Sequence, residues 1–332
     1  MPALESAPQH PIHVDARTSR DIHDQATLLD TWNQSYCQMS GGQFNGSLAS
    51  IRIDGLRLFI ERMNRAVLQK GDVGSDRIGV GIPLRLCGKA VLCGEVAGLD
   101  DLHVFSGASG FEYLSPEQLV FIGLEFTEPA SARAANEALL IRELRSTLQQ
   151  SRRVIPVDTA RARYVRSALK SLFDGLAADP DLLADADSRA ALKRSSVGAV
   201  LELLAHPEAT TGPRGAGIAT NWQLASQARA LVEDAPDCPM SVIELALRLG
   251  VSRRTLQYAC QSAVGIKPVS YLRAVRLSGA RKEMRHVRSV SEAATRWGFW
   301  HFGRFARDYR AMFGELPSET LKQVNGAYAE SK

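Results

Sequence analysis

Short hydrophobic runs alternate with turn-forming residues over the segment 26–126. Each run is rich in apolar and β-branched residues and is bounded by Gly, Asp or Pro, a pattern typical of β-strands. The runs are SLASIRI, LRLFIER, RIGVGIPL, AVLCGEV, DLHVFSG and QLVFIGLEF. Together they predict a compact β-sandwich or barrel. The residues before them, 1–25, show no periodicity, and we expect them to form a loose arm.

The spacing of apolar residues becomes helical in the stretch 130–151, which follows Pro129 and contains neither Gly nor Pro. Ile141, Leu144 and Leu148 form one apolar stripe along the predicted helix. Such a stripe either packs on the β domain of its own chain or joins two copies of the chain. We expect the second, so the sequence predicts a homodimer formed by the front part.

Two further helical patterns run through 158–178 and 188–205. The stretch 206–217 is dense in Pro, Gly and Thr, which marks a linker. A chain of 332 residues holds roughly two domains, at about 150 residues per domain. We therefore divide it into a loose arm, a β-rich domain, a helical connector with a linker, and an all-helical domain, with the bounds 1–25, 26–130, 131–218 and 219–328.

Two segments of the tail repeat each other at a period of about 48 residues, and such repeats indicate a repeated structural unit. Each begins with an apolar stripe at the i, i+3, i+4, i+7 spacing of a short helix. The stripe residues are Val242, Leu245, Ala246 and Leu249 in the first copy and Val290, Ala293, Ala294 and Trp297 in the second. Gly250 and Gly298 follow, and each is expected to end its helix with a positive φ.

A second short helix is predicted in each copy, and Ser252 is the expected N-cap of the first. The apolar faces consist of Leu256, Ala259, Cys260 and Ala263 in one helix and Phe302, Phe305, Tyr309 and Met312 in the other. Pro268 and Pro317 each lie three residues beyond a Gly and close the units. A helix, a tight turn and a second helix form a helix-turn-helix, so the tail is predicted to contain two of them.

The outward faces of the two second helices are basic and polar. The candidate DNA-binding residues are Ser252, Arg253, Arg254, Gln257, Tyr258, Gln261, His301, Gly303, Arg304, Arg307 and Arg310. Arg and Gln can read guanine and adenine edges bidentately in the major groove. Solvated hairpins without a partner would carry mixed charges, whereas Asp308 is the one acid on these helices. The pattern therefore favours DNA recognition.

The segment 268–286 between the copies is predicted to be one helix with Pro268 in its first turn. At ~1.5 Å per residue it is a little under ~30 Å long, close to the ~34 Å of one DNA turn. The second helices of two units joined in this way can enter successive major grooves. The basic residues in this helix and just after it are expected to be solvated or packed rather than to read bases; they are Arg273, Arg276, Arg281, Lys282, Arg285 and Arg288.

The distribution of charge supports a polyanionic partner for the tail alone. The chain carries a net charge of +4 at pH 7. Residues 219–332 hold 17 Lys and Arg against 10 Asp and Glu, whereas the rest holds 23 against 26. A basic surface attracts nucleic acid, although a solvated basic face without a partner gives the same count.

The tail resembles the AraC/XylS transcription regulators over roughly 219–328. The resemblance rests on Ala246, Gly250, Ser252, Leu256, Gly265, Pro268 and Tyr271, and on the stretch ATRWGFWHFGRFARDYRAMFGELPSETL at 294–321. The amino-acid sequence of the second stretch resembles those of the family branch that contains the ethanolamine-utilisation activator. Cys260 and Thr320 stand where this family usually has Phe and an aromatic residue, and both are expected in the interior.

This resemblance implies a DNA-binding domain of two helix-turn-helix units joined by a long helix. It also implies a front domain, often cupin-like, that binds a small-molecule effector or forms a dimer. Arg254, Gln257, Arg304 and Arg307 occupy positions where base-contacting side chains are expected, and Lys267 is assigned to a phosphate. The implied fold class is then α+β. The implied function is that of a transcription activator that binds promoter DNA and contacts RNA polymerase.

A catalytic front domain is the alternative, and the sequence offers little for it. A catalytic cupin needs several His and a carboxylate around a metal, but His103 is the one His in the β segment. We expect it to be hydrogen-bonded or at the surface. Cys87 and Cys93 are too loosely spaced for zinc. No nucleophile elbow or phosphate loop is present, so we expect neither a cofactor nor a metal.

The sequence also suggests a compartment. Its five Cys are an odd number and widely scattered, so we expect reduced thiols. Residues 1–25 lack the pattern of a signal peptide, and no uncharged apolar run reaches the ~18 residues of a membrane span. The prediction is a cytoplasmic protein.

Overall fold

The structure, a computed structural model, describes residues 12–106, 110–128, 135–150, 152–205 and 216–330. The predicted linker 206–217 lies outside the described residues up to 215. A β-rich front domain is followed by three helices and then by a helical C-terminal domain. This α+β architecture confirms the predicted fold class.

Two antiparallel sheets form the front domain, and twelve strands are described. The strands are β1 (Ile12–Ser19), β2 (Asn33–Gln38), β3 (Gly46–Ile53), β4 (Leu56–Met63), β5 (Val67–Asp72), β6 (Arg77–Arg85), β7 (Ala90–Leu92), β8 (Glu95–Ala97), β9 (Asp101–Ser106), β10 (Phe111–Ser115), β11 (Leu119–Thr127) and β12 (Val154–Pro156). The larger sheet has the order β1-β3-β4-β11-β6-β9-β12 and the smaller one β2-β5-β10-β7-β8. An aromatic core that includes Trp32, Phe59, Phe105 and Tyr113 lies between them.

All six predicted hydrophobic runs are strands, and the run at 90–96 divides into β7 and β8. The strands β2, β5 and β10 were not predicted. Their sequences, NQSYCQ, VLQKGD and FEYLS, are short and alternate polar residues with apolar ones that pack in the aromatic core or against the C-terminal domain. Hydrophobic patterning finds longer apolar runs, and it misses short strands in which polar residues interrupt the apolar ones.

The prediction of a loose arm is wrong for residues 12–25. Strand β1 pairs along its whole length with β3, from Ile12 opposite Ile53 to Ser19 opposite Gly46. Helix α1 (Ile22–Thr27) follows, and the Asp21 side chain caps it by accepting from two backbone N–H groups. β1 lies at the sheet edge with mostly exposed side chains, so its pairing depends on the backbone and leaves no hydrophobic period.

Three helices cover the larger sheet: α2 (Ala135–Gln150), α3 (Thr159–Ala178) and α4 (Ala186–Ala205). The stripe formed by Ile141, Leu144 and Leu148 is at most 3% exposed and belongs to the same hydrophobic core as β4, β6 and β11. The expectation that this stripe joins two copies is therefore wrong. The stripe packs on the β domain of its own chain, which is the other of the two alternatives that its sequence pattern allows.

Seven helices follow in the C-terminal domain: α5 (Ala216–Asp234), α6 (Val242–Arg248), α7 (Arg253–Ala263), α8 (Pro268–Glu283), α9 (Val290–Arg296), α10 (Phe302–Phe313) and α11 (Pro317–Glu330). The two predicted helix-turn-helix units are α6–α7 and α9–α10. Gly250 and Gly298 have φ of 67° and 75°, as expected for the turns. The connector α8 has Pro268 in its first turn but ends at Glu283, three residues before the predicted end.

Candidate nucleic-acid interface

Side-chain caps fix the start of three helices in the two units. Ser241 and Glu244 form a capping box at α6, and Ser289 accepts from the Glu292 backbone N–H at α9. Ser252, the predicted N-cap, accepts from the backbone N–H of Thr255 at 3.0 Å. These bonds satisfy N–H groups that a helix start leaves unpaired, and they fix where each turn ends and the next helix begins.

Buried residues hold each second helix against its unit. Leu256 and Cys260 of α7 pack in one hydrophobic core, and Phe305 and Tyr309 of α10 pack in another. The predicted interior positions Cys260 and Thr320 are both buried. The Tyr309 hydroxyl donates to the Thr320 hydroxyl at 2.9 Å, so the buried Thr320 makes a polar contact.

All twelve predicted DNA-binding residues are exposed. They lie on or next to the two second helices: Ser252, Arg253, Arg254, Gln257, Tyr258 and Gln261 at α7, Lys267 before α8, and His301, Gly303, Arg304, Arg307 and Arg310 at α10. The Ser252 side chain is used as a cap, and the Gln261 amide donates to the carbonyl of Gly265 at 2.9 Å. The other side chains project outward from two basic faces.

Asp308 moderates the charge of the second basic face. Its carboxylate lies 3.8 Å from the Arg304 guanidinium and 3.7 Å from that of Arg273 on the connector. Within the described ranges, Arg307 and Arg310 lie outside ion-pair distance of any carboxylate. Exposed unpaired guanidinium groups can hydrogen-bond to base edges or phosphates.

Two aromatic residues at the start of α10 were missed. Trp300 is 60% exposed, and Phe302, which was predicted to be on the buried face, is 47% exposed. The prediction for Phe302 is wrong because α10 begins at this residue, where the domain covers the side chain less than it covers Phe305, which is 1% exposed. An exposed aromatic pair beside Arg304 is a signal that sequence reading could have used, since apolar groups contact thymine methyl groups.

Residues 245–323 match a family model described as a helix-turn-helix domain. The chain is 41% identical over 90 residues to the probable thc operon regulatory protein of Rhodococcus erythropolis, a match that covers 26% of this chain and 27% of that protein. It is 40% identical over 88 residues to the XylDLEGF operon transcriptional activator of Pseudomonas putida, covering 25% of this chain and 27% of that protein. The C-terminal region is thus similar to the helix-turn-helix domains of AraC/XylS-type regulators, and we name it the AraC/XylS domain.

One solved structure is also similar to part of the chain. A probable AraC family transcriptional regulator from Rhodopseudomonas palustris is 34% identical, with a TM-score of 0.29, and the match covers 31% of this chain and 97% of that one. The chain spans about a quarter of the length of the curated relatives it matches. The likeness to the ethanolamine-utilisation branch stays a prediction.

The AraC/XylS domain is bound to the front domain through Glu112 of β10. Its carboxylate accepts hydrogen bonds from the Trp222 indole N–H at 3.1 Å, from the Ser226 hydroxyl and from the Arg229 guanidinium, all on α5. Burial lowers the pKa of Arg229, but the neighbouring Tyr271, Glu112 and Glu233 outweigh burial and raise that pKa. These bonds fix α5 on the smaller sheet.

A second set of ion pairs joins α1 to the connector α8. The Arg281 guanidinium donates to Asp21 at 2.6 Å, and Arg285 donates to Asp21 and Asp24 at 3.1 and 2.8 Å. Burial raises the pKa of Asp21, but the charges of Arg281, His23 and Arg285 outweigh it and hold that pKa well below its usual range. The pKa of His23 falls to about 4, mainly because of burial.

The loop after β2 reaches the far end of α10. The Gln38 side-chain amide and the Gly42 backbone N–H both donate to the carbonyl of Met312, at 2.7 and 2.9 Å. Gln38 is buried, and its backbone N–H donates to the Ser278 hydroxyl of α8 at 3.2 Å. The front domain thus contacts both the connector and the second helix of the second unit.

A cleft with a volume of about 1310 Å³ lies between the front domain and the AraC/XylS domain. One wall is formed by β2, β5 and β10 and the other by α5 and α8. Aromatic side chains from both sides line it, Phe111 from the sheet and Trp222 and Trp297 from the helices. Lys70 and Lys282 lie on opposite walls. The cleft is large enough for a small organic molecule.

The described residues give no metal site to the front domain. Among them, no group of three or more His, Cys, Asp or Glu could hold a metal ion. His103 is fully buried beside Tyr113 and Phe121, with ring centroids 5.5 and 5.4 Å away, so of the two expectations, a hydrogen-bonded or a surface residue, the surface one is wrong. Burial lowers its pKa to about 3.

Among the described residues, none of the helices has both the length and the apolar composition that a membrane span requires.

Proposed function

We propose that the protein is a sequence-specific DNA-binding transcription regulator, an activator gated by a small molecule or a partner at its front domain. The observation that carries this proposal is the pair of exposed, basic helices α7 and α10, each held in its own helix-turn-helix unit. Their outward residues include one carboxylate, Asp308, against five guanidinium groups and a Lys beside α8. Such a surface suits a polyanion.

In this proposal the two second helices enter successive major grooves. The connector α8 has 16 residues and is therefore ~24 Å long at ~1.5 Å per residue. Arg254, Gln257 and Arg307 are assigned to base edges, and Arg304 to a base or a phosphate. Lys267 is assigned to a phosphate because it precedes α8 and is exposed at its N-terminus.

The gating role is supported by the contacts between the two domains. Asp21, Gln38 and Glu112 each bind a helix of the AraC/XylS domain, so a ligand in the cleft would change the position of that domain. Activation is supported by relatives named as transcriptional activators. An activator works through RNA polymerase, and we propose that contact and a homodimer as further parts of the function.

The test is the affinity of the full-length protein for DNA selected from a randomised duplex library. A sequence-specific regulator will recover a common motif and bind it far more tightly than a scrambled duplex of the same length. Specific sites are typically bound about 10³–10⁷-fold more tightly than non-specific DNA. Equal affinity for both duplexes would refute the proposal, and a basic protein of matched charge serves as the control.

A further inference from the structure

A groove with a volume of about 440 Å³ lies between the two helix-turn-helix units. Its walls are the start of α6, the outer side of α8 and the first turns of α10, and all lining residues fall within 240–308. Leu272 and Phe299 supply apolar surface. The groove therefore belongs to the AraC/XylS domain and stays open while the front domain is attached.

The charge inside this groove is unbalanced. Three guanidinium groups line it, those of Arg273, Arg276 and Arg304, against the carboxylate of Asp308. Asp308 lies 3.7 Å from Arg273 and 3.8 Å from Arg304, so it is shared between these two. Arg276 makes no ion pair with the Asp308 carboxylate.

Arg276 is a half-buried cation without an anionic partner among the described residues. Its Nε and one Nη atom are buried and make no hydrogen bond within the part of the chain that the structure describes. Burial lowers the pKa of Arg276. Arg281, on the same helix, is instead surrounded by Asp21, Glu315 and the Tyr309 hydroxyl. Desolvating a charge without a partner is costly, so the position is suited to an anion from outside.

The first turn of α10 adds hydrogen-bond donors at the rim of the groove. His301 is the N-cap residue, and its side chain makes no capping hydrogen bond. Added side-chain volume at Gly303 would meet no atom within 4 Å, so the space in front of this turn is open. The unpaired N–H groups of a helix start attract phosphate oxygens.

We propose that this groove binds the phosphodiester backbone of DNA between the two major grooves that α7 and α10 enter, with Arg276 as its phosphate ligand. The inference rests on the proposed function, because DNA is the polyanion that passes between these helices. A guanidinium pairs with phosphate oxygens through strong charge-assisted hydrogen bonds. A contact of this kind positions the protein without reading sequence.

The test compares the salt dependence of DNA affinity for three full-length proteins: wild type, Arg276→Met and Arg296→Met. The probe is the duplex that the wild-type protein recovers from a randomised library, beside a scrambled duplex. Met keeps the apolar stem of Arg276 and removes the charge. Arg296 is the matched control, since it removes one charge from the same domain, lies outside the groove and pairs with Glu283 and Glu292.

Arg276→Met is expected to weaken binding to both duplexes by the same factor and to lower the slope of log affinity against log salt by about 0.9. Arg296→Met is expected to keep the wild-type slope. An Arg276→Met slope equal to that of the wild type would overturn the inference. A wild-type protein that recovers no motif would instead refute the proposed function, so the two failures are distinguishable.

A second measurement needs no variant. Single phosphates of the selected duplex are replaced by neutral methylphosphonates, and the affinity of the wild-type protein is measured for each position. We expect at least one sensitive phosphate between the two clusters of preferred bases. Sensitivity confined to the flanks of the two clusters would overturn the assignment of the groove.

Discussion

The carboxylate of Asp21, in the front domain, accepts a hydrogen bond of 2.6 Å from the guanidinium of Arg281 on the connector helix α8. Arg281 also reaches Glu315 at 2.7 Å and the Tyr309 hydroxyl at 3.0 Å, both in the second helix-turn-helix unit. One buried cation therefore joins the front domain, the connector and the second unit. This relationship gives the proposed gating a physical route.

Asp21→Asn is expected to lower the free energy of unfolding by about 3 kcal/mol, because it removes one carboxylate from two guanidinium groups that remain partly buried. Thermal melting monitored by circular dichroism measures the effect. Asp24→Asn is the matched control, since its carboxylate is exposed and its pair with Arg285 is worth at most about 1 kcal/mol. Equal losses in the two variants would contradict the role of Asp21.

Glu61→Gln is expected to change the dependence of stability on pH. Burial raises the pKa of Glu61 from 4.5 to about 6, although Gln25 and Tyr36 donate hydrogen bonds to it. The folded state therefore holds this proton more tightly than the unfolded chain does. Its stabilising contribution is complete below pH 4.5 and is lost as the pH rises through about 6.

The stability difference between wild type and Glu61→Gln is expected to change by about 2 kcal/mol from pH 4 to pH 7, in favour of the variant at the higher pH. Denaturant unfolding at several pH values measures it. The lowered pKa of His23 acts in the opposite direction, but it is common to both proteins and cancels. Parallel pH profiles would show that Glu61 does not titrate in this way.

Gly279→Ala is expected to destabilise the packing of α9 on α8. A Cβ atom at this position would overlap the indole ring of Trp297. Overpacking of this kind costs about 1–3 kcal/mol. Gly198→Ala on α4 is the control, because an added Cβ there meets no atom within 4 Å and Ala is favoured in a helix by roughly 0.5–1 kcal/mol. Chemical denaturation should move the two midpoints in opposite directions.

The fragment 216–332 is expected to fold and to bind the selected DNA without the front domain. It will melt at a lower temperature than the full chain, because Trp222 and Ala225 of α5 pack in one hydrophobic core with Leu68 and Val91 of the smaller sheet. Circular dichroism and fluorescence anisotropy test both points. An unfolded fragment, or one that binds DNA no better than a matched basic protein, would contradict the predicted domain boundary.

The two helix-turn-helix units were predictable because each is specified by nearby residues. Caps such as Ser252, turn residues such as Gly250 and an apolar face around Leu256 all lie within about three turns of helix, and periodicity reports them directly. The same holds for the strands with one buried face. Exposure of the basic residues then follows from burial of their neighbours.

The contacts between domains could not be predicted, because they depend on side chains far apart in the chain. Arg281 and Arg285 were expected to be solvated or merely packed, yet their partner Asp21 lies about 260 residues away, in a segment expected to be loose. No local pattern encodes such a pair. The unpaired state of Arg276 is likewise visible only once the surrounding helices are in place.

Recognition of bases by the two second helices is the central claim, and selection of bound DNA from a randomised library tests it most directly. Wild type, Gln257→Ala and Arg307→Ala are compared in the same buffer. Loss of a bidentate base contact costs about 1–3 kcal/mol, so each variant is expected to lose preference at its own position of the motif and to keep the rest. If both variants keep the parental preference at every position and differ only in salt dependence, these side chains do not specify sequence and the account is wrong.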